Sequence, residues 1–280
     1  MTPEAWSLAA LRARLRACDG RPRALAQLAR LLAADPRAGA RALALEAARR
    51  LEEERRERRR VARLFARRRA LAREGVRIVA GVDEAGMGPL AGPVVAAAVI
   101  LPERVYFAGL DDSKRLLAPA RERLAAAIRA EAVAFAVAEV WPEEIDRRNI
   151  YRAGLEAMRR AVTALSVEPQ HVLVDARKIP DLAAPQTPIV NGDALDGSIA
   201  AASIVAKVHR DAIMVRLDAE FPGYGFSRHK GYATRSHLAA LRRRGPTPVH
   251  RRSFAPVAQG DLFAFLYDDA PGPAGREPTA

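Results

Sequence analysis

The chain has one cysteine, Cys18, and only four lysines in 280 residues. A single thiol excludes an internal disulfide and any cluster of thiolate metal ligands, and it suits a reducing cytoplasm. Long apolar runs are also missing. The longest, around Val94 to Leu101, is far too short to span a bilayer, so no membrane partner is expected. Arg12, Arg14 and Arg16 interrupt the apolar positions near the start, so no signal peptide is expected there. No internal repeat is found. What the chain does have is a 50% apolar composition, enough to bury a core, and a net charge of +13.

That charge is unevenly placed. Residues 1–73 hold 20 Arg, no Lys and 8 acids, a net +12, while residues 74–280 hold 26 basic and 25 acidic residues. A basic segment points to an anionic polymer or surface. The alternative is a solvated helix face on which Glu and Arg pair with each other around Glu52 to Arg60.

Residues 1–74 read as an Arg-rich helical extension with no strand pattern. Thr2-Pro3 and Asp35-Pro36 each set a cap residue before a proline at a helix's first position, and Asp19-Gly20-Arg21-Pro22 separates the first helix from the second. A third helix is predicted from Pro36 to Arg73, stopping at Gly75. From Val76 the pattern changes. Ile78–Val82, Val94–Leu101, Val133–Val140, His171–Asp175 and Pro188–Val190 read as strands, and Tyr151–Leu165, Ser198–Phe221 and Thr234–Arg244 as helices. The fold class is mixed α/β over residues 75–257. Residues 258–280 form a tail whose Pro/Gly-rich end, Asp268 to Ala280, reads as disordered.

The segment richest in chemistry is Gly81-Val82-Asp83-Glu84-Ala85-Gly86-Met87-Gly88-Pro89-Leu90-Ala91-Gly92-Pro93. An apolar strand runs into two carboxylates and then a glycine-rich turn. Oxygen ligands suit hard divalent cations, and glycines let a backbone approach a sugar or phosphate. Asp175 closes a later strand. Ser203, Lys207 and Asp211 share one face of the long helix at four-residue spacing. A lone Asp at a strand end is ordinarily a turn or cap residue. Four acids so placed fit a shared pair of divalent cations better.

Residues 76–257 resemble the ribonuclease HII family. Besides the segment above, the resemblance is carried by Leu110-Asp111-Asp112-Ser113-Lys114, Val174-Asp175, Gly192-Asp193, Ala201 to Asp211, Phe221 to Phe226, His229-Lys230-Gly231-Tyr232 and His250 to Phe254. It implies a ribonuclease H-like mixed sheet flanked by helices, with a helical C-terminal portion. It implies hydrolysis, dependent on Mg²⁺ or Mn²⁺, of RNA in RNA/DNA hybrids and of DNA containing ribonucleotides. Cutting would fall 5′ to a single embedded ribonucleotide and leave 3′-hydroxyl and 5′-phosphate ends. Asp83, Glu84, Asp175 and Asp211 match the catalytic, metal-holding carboxylates, with Asp193 a lesser acid nearby. Gly86, Met87, Gly88 and Tyr232 match the groups that sense the 2′-hydroxyl, which distinguishes RNA from DNA. Ser113, Lys114, Lys207, His229 and Lys230 are candidate phosphate or site-organising groups, and three of the four lysines fall among them. Met87 stands where the family usually has Arg, and Asn191 where it commonly has a basic residue. Both departures bear on substrate contact rather than on the chemistry. A ribonuclease H restricted to long hybrids, and an inactive nucleic-acid-binding relative, are the rival readings.

Gln259-Gly260-Asp261-Leu262-Phe263 resembles the pentapeptide by which bacterial repair proteins dock on the sliding clamp, with Gln259, Leu262 and Phe263 as anchors. Packing of Leu262, Phe263, Phe265 and Leu266 on the domain is the preferred alternative for so short a motif. A cytoplasmic monomer is expected.

Overall fold

The computed structural model describes residues 6–258. The chain divides into two compact units, Met1–Arg63 and Leu64–Ala280. The expectations for Thr2-Pro3, for the pentapeptide and for the tail lie outside the described residues.

The first unit is built from α1 (Leu8–Ala17), α2 (Pro22–Ala34) and nearly all of α3 (Ala38–Leu64). Ser7 caps α1 by accepting the Ala10 N–H at 3.2 Å, and Pro22 opens α2. Leu11 and Leu15, Leu25, Leu28 and Leu32, and Ala40, Leu43 and Ala47 recur at helical spacing and form one small core. Asp35-Pro36 does not open the third helix directly. Asp35 accepts the Arg37 N–H at 3.0 Å and its guanidinium at 2.6 Å, and the helix begins at Ala38. The charged middle of α3 is paired along itself: Arg50–Glu46 at 2.6 Å, Arg58–Glu54 at 2.8 Å and Arg60–Glu57 at 2.8 Å. That is the pattern of a solvated face, where each pair adds only a few tenths of a kcal/mol, about 0.3–0.5.

The second unit opens with α4 (Ala66–Arg73). The single helix expected over 36–73 breaks at Phe65, whose buried ring sits where a Gly197 side chain would otherwise be, 2.5 Å from the Cβ position. Neither Gly nor Pro marks the break. The end of α4 was legible: Gly75, at φ +88°, bonds to Ala72 O and Val76 to Leu71 O, the left-handed glycine stop. Leu71 and Val76 pack on Val79, Leu173, Ile189 and Ile199, so α4 belongs to this core.

The strands are β1 (Val79–Ala85), β2 (Val94–Ile100), β3 (Ala134–Val140), β4 (His171–Asp175) and β5 (Gln186–Ile189). The remaining helices are α5 (Ala118–Glu131), α6 (Pro142–Arg148), α7 (Ile150–Thr163), α8 (Gly192–Leu195), α9 (Gly197–Glu220), α10 (Phe226–His229), α11 (Arg235–Arg244) and α12 (Ala255–Ala258). Among the described residues the strands make one five-stranded sheet of order β3-β2-β1-β4-β5. β2 runs antiparallel to β1 and β3, while β1, β4 and β5 are parallel. α7 covers one face with a core of Val82, Ala96, Ala98, Met158 and Val162, and α9 covers the other. The approach of α9 is unusually close. A Cβ on Gly81 would fall 2.1 Å from the Ser198 carbonyl, so only glycine lets that helix lie on the central strand.

Candidate active site

β1 does not stop at the carboxylates. It continues to Ala85, with Asp83 paired opposite Ala97 and Glu84 opposite Ala96. Strand alternation sends the two acids to opposite faces. Asp83 shares the α9 face with Gly81. The parallel register pairs Val82 with Val174, which places Asp83 beside Asp175 at the C-terminal ends of two adjacent parallel strands.

Asp83 is 4% exposed. Burial pushes its carboxyl well above the usual range, the charges of Glu84 and Asp175 push it further, and a hydrogen bond from Ser203 only partly opposes them. The Ser203 hydroxyl also pairs with the Ser113 hydroxyl at 2.9 Å. Burial likewise raises Glu84, against the charge of Arg177, and Glu84 Oε2 is buried with no hydrogen-bond partner. Burial raises Asp175 too, while the Gly192 N–H, 2.7 Å from its Oδ1, lowers it. Three acids thus crowd one another at the strand ends. Asp211 is engaged differently: Lys207 donates to it at 2.7 Å and Arg121 at 3.3 Å.

Among the described residues no three His, Cys, Asp or Glu side chains close on one point as an assembled metal cage. The donor set nevertheless fits a hard cation. An orphaned, buried carboxylate oxygen beside two further acids lacks, among the described residues, the hydrogen-bonded partner that such a group ordinarily requires.

The glycine turn lies against the same edge. Gly88 is exposed, and a Cβ there would meet only the Tyr232 ring, at 3.8 Å. Tyr232 is 46% exposed. The backbone between Gly86 and Gly88 and the Tyr232 ring therefore border one open surface. The Met87 side chain is not on it. Its sulfur packs into α7, 2.9 Å from the Cβ position of Gly154, and only the Met87 backbone remains at the turn. Lys114 donates to Asp193 at 3.0 Å; burial opposes its charge, but that bond raises its pKa. His229 bonds to the Tyr224 carbonyl and the Gly231 N–H, and Lys230 Nζ to the Ser227 carbonyl. These two are held by the fold around Tyr232.

Two arginines went unnoticed as separate candidates in the sequence, although both lie in matched segments. Arg210 and Arg251 are fully buried. Arg251 donates to the carbonyls of Gly86, Met87 and Gly92, and Arg210 to those of Ala91, Pro93 and Lys230. Burial lowers their pKa values to about 9 and about 10. They lock the glycine turn to the Tyr232 segment through six carbonyls. Their signal in the sequence is position alone, Arg210 next to Asp211 and Arg251 after His250. Arg121 and Arg177, which flank Asp211 and Glu84, carried no signal.

A mixed sheet with carboxylates at adjacent strand ends, helices on both faces and a rigid glycine turn defines a ribonuclease H-like fold. Comparison narrows the class. Residues 80–257 match the family model Ribonuclease HII. Ribonuclease HII of Anaeromyxobacter sp. is 54% identical over 253 residues, covering 88% of this chain and 80% of that one. Ribonuclease HII of Myxococcus xanthus is 53% identical over 255 residues, covering 87% of each. Among solved structures, the ribonuclease H2 of Pyrococcus horikoshii matches at 27% identity and TM-score 0.56, covering 64% of this chain and 95% of that one. The ribonuclease HII of Archaeoglobus fulgidus in its PCNA complex matches at 27% identity and TM-score 0.53, over 62% and 93%. The chain belongs to the ribonuclease HII family and is a ribonuclease H endonuclease.

Proposed function

We propose that this enzyme hydrolyses RNA in RNA/DNA duplexes and cuts 5′ to single ribonucleotides embedded in DNA, leaving 3′-hydroxyl and 5′-phosphate ends. The observation that carries the reading is the crowded carboxylate cluster, with its orphaned Glu84 oxygen, on the unit that also holds the open Gly88–Tyr232 surface. Asp83, Glu84, Asp175 and Asp211 would hold two Mg²⁺ or Mn²⁺ ions. Bound there, such ions supply an activated water and a stabilised leaving oxygen.

The chain's own groups do the rest. Ser203, fixed by Ser113, orients Asp83, and the Gly192 N–H orients Asp175. Lys207 and Arg121 hold Asp211 in place through their bonds to it. The backbone of Gly86, Met87 and Gly88 meets the 2′-hydroxyl, and Tyr232 packs on its sugar. Arg210 and Arg251 keep that turn from yielding when a deoxyribose is offered. Because Met87 faces α7, ribose sensing does not need its side chain, and cutting at single ribonucleotides is retained. Lys114 and Lys230 reach neighbouring phosphates. Gln259, Leu262 and Phe263 are the candidate anchor for docking on the sliding clamp, with packing of Leu262 and Phe263 on the domain the preferred alternative, and the enzyme works as a cytoplasmic monomer.

Calorimetry tests the metal reading without turnover. Mn²⁺ titrated into the protein should bind, and Glu84→Gln should weaken that binding. Full uptake by Glu84→Gln would remove Glu84 from the ligand set, and no uptake by the wild type would favour an inactive binding protein. Leu262→Ala/Phe263→Ala should abolish clamp binding; no binding by the wild type would end that part of the reading.

A further inference from the structure

Arg177 lies two residues past Asp175, after the left-handed Ala176 at φ +53°. Its guanidinium stacks 4.8 Å from the ring centroid of Tyr151, which is 51% exposed at the start of α7. This is the face of the sheet to which Glu84 projects. Among the described residues Arg177 Nη1 is buried and makes no hydrogen bond, and the same holds for Glu84 Oε2. The two charges act on each other, since Arg177 is the largest influence holding Glu84 down against burial, yet they form no ion pair. A buried cationic donor and a buried anionic acceptor left apart are costly in the free protein. By chemistry the Glu84 oxygen suits a cation and the Arg177 nitrogen an anionic oxygen.

We infer that Arg177 is a substrate-binding residue that grips one backbone phosphate of the cut strand beside the ribonucleotide, with the stacked Tyr151 ring holding its guanidinium in reach. This rests on the reading of the carboxylate site given above. A guanidinium suits the role because it presents a rigid fork to phosphate oxygens and stays charged. It would provide a side-chain phosphate contact, which the Met87 side chain, packed into α7, does not.

The test uses a duplex with one ribonucleotide, in which each phosphate on either side of it is replaced in turn by a neutral methylphosphonate. Binding is measured by anisotropy in EDTA and cutting in Mg²⁺, for the wild type, Arg177→Gln and Arg177→Lys. The wild type should lose affinity about 10- to 100-fold at one particular phosphate, the worth of a charged hydrogen bond. Arg177→Gln should bind the unmodified duplex weaker by a similar factor and show no further loss at that phosphate, while Arg177→Lys recovers part. Unchanged affinity in Arg177→Gln would overturn the inference. So would slower cutting with the wild-type pattern of neutral-linkage losses, because Arg177 would then act only through Glu84. Wild-type cutting of the unmodified duplex is the internal control: its failure would overturn the site reading itself, whereas failure of the Arg177 pattern alone leaves that reading standing.

Discussion

Acid should unfold this enzyme through two buried histidines, His237 and His250. The Tyr232 carbonyl can only accept, so His237 Nδ1, 2.9 Å away, carries a proton. His237 Nε2 must then accept from His250 Nε2–H at 3.1 Å, and His250 Nδ1 accepts the Thr247 N–H at 3.0 Å. Both rings are buried and neutral in one fixed tautomer, and His229 stacks on His237 at 4.5 Å. Burial pulls each pKa from 6.5 to about 4, and each ring's histidine neighbours pull the same way. Because the folded values are depressed, the unfolded chain takes up protons first as pH falls. Stability is complete above pH 6.5 and drains between there and about 4. For one such group the loss between pH 7.5 and pH 5 is about 2 kcal/mol, approaching 3 when the folded ring titrates. The pair together loses less than twice that, because the rings share one bond. NMR titration of the ring protons and urea melts of the wild type and His237→Asn/His250→Gln would measure it. The double variant should flatten the fall between pH 7.5 and 5 by about 2–4 kcal/mol. Rings that titrate above pH 6, or equal slopes in the two proteins, would refute the reasoning.

Three further outcomes follow from the same contacts. Gly81→Ala would drive a Cβ into the Ser198 carbonyl, which is helix backbone and cannot rotate away, so thermal melts should show a loss of about 3 kcal/mol or more; an unchanged midpoint would mean that α9 does not lie on β1 as described. Gly88→Ala meets only ordinary contact with Tyr232, so its melt should match the wild type while kcat/KM on a single-ribonucleotide duplex falls at least about 10-fold; unchanged kcat/KM would remove Gly88 from ribose sensing. Arg251→Met should cost about 2–4 kcal/mol by stranding the carbonyls of Gly86, Met87 and Gly92, and should erode discrimination of ribose from deoxyribose; a stability loss with discrimination intact would show that the turn keeps its shape without Arg251.

The strand that carries Asp175 and the helix that carries Asp211 were legible within a residue or two, because each is strongly patterned. The apolar run Val94–Ile100, the buried strand ending at Asp175 and the apolar face around Ile199 and Ile204 leave few other arrangements. The places that were not legible share a cause, which is tertiary contact overriding local signal. β1 continues through two carboxylates, poor strand formers, because β2 pairs with them across the ladder. The helix break at Phe65 comes from a ring packing on Gly197, not from a breaker residue. α5 differs, since its Ala-rich stretch has the residue types of a helix and only Leu124 and Ile128 stand out as large apolar positions. In the site, acids and glycines spoke for themselves by type and spacing. The arginines did not, since buried Arg251 and half-buried Arg177 read in the sequence like any of the many solvated ones.

The most direct test uses two end-labelled duplexes, one with a single ribonucleotide in DNA and one a full RNA/DNA hybrid, each incubated with Mg²⁺ or Mn²⁺ beside an Asp83→Asn control. The account predicts metal-dependent cutting 5′ to the lone ribonucleotide and along the hybrid, both abolished in the control. Cutting of the hybrid alone would contradict ribose sensing through the glycine turn, and cutting that survives Asp83→Asn would contradict the carboxylate site.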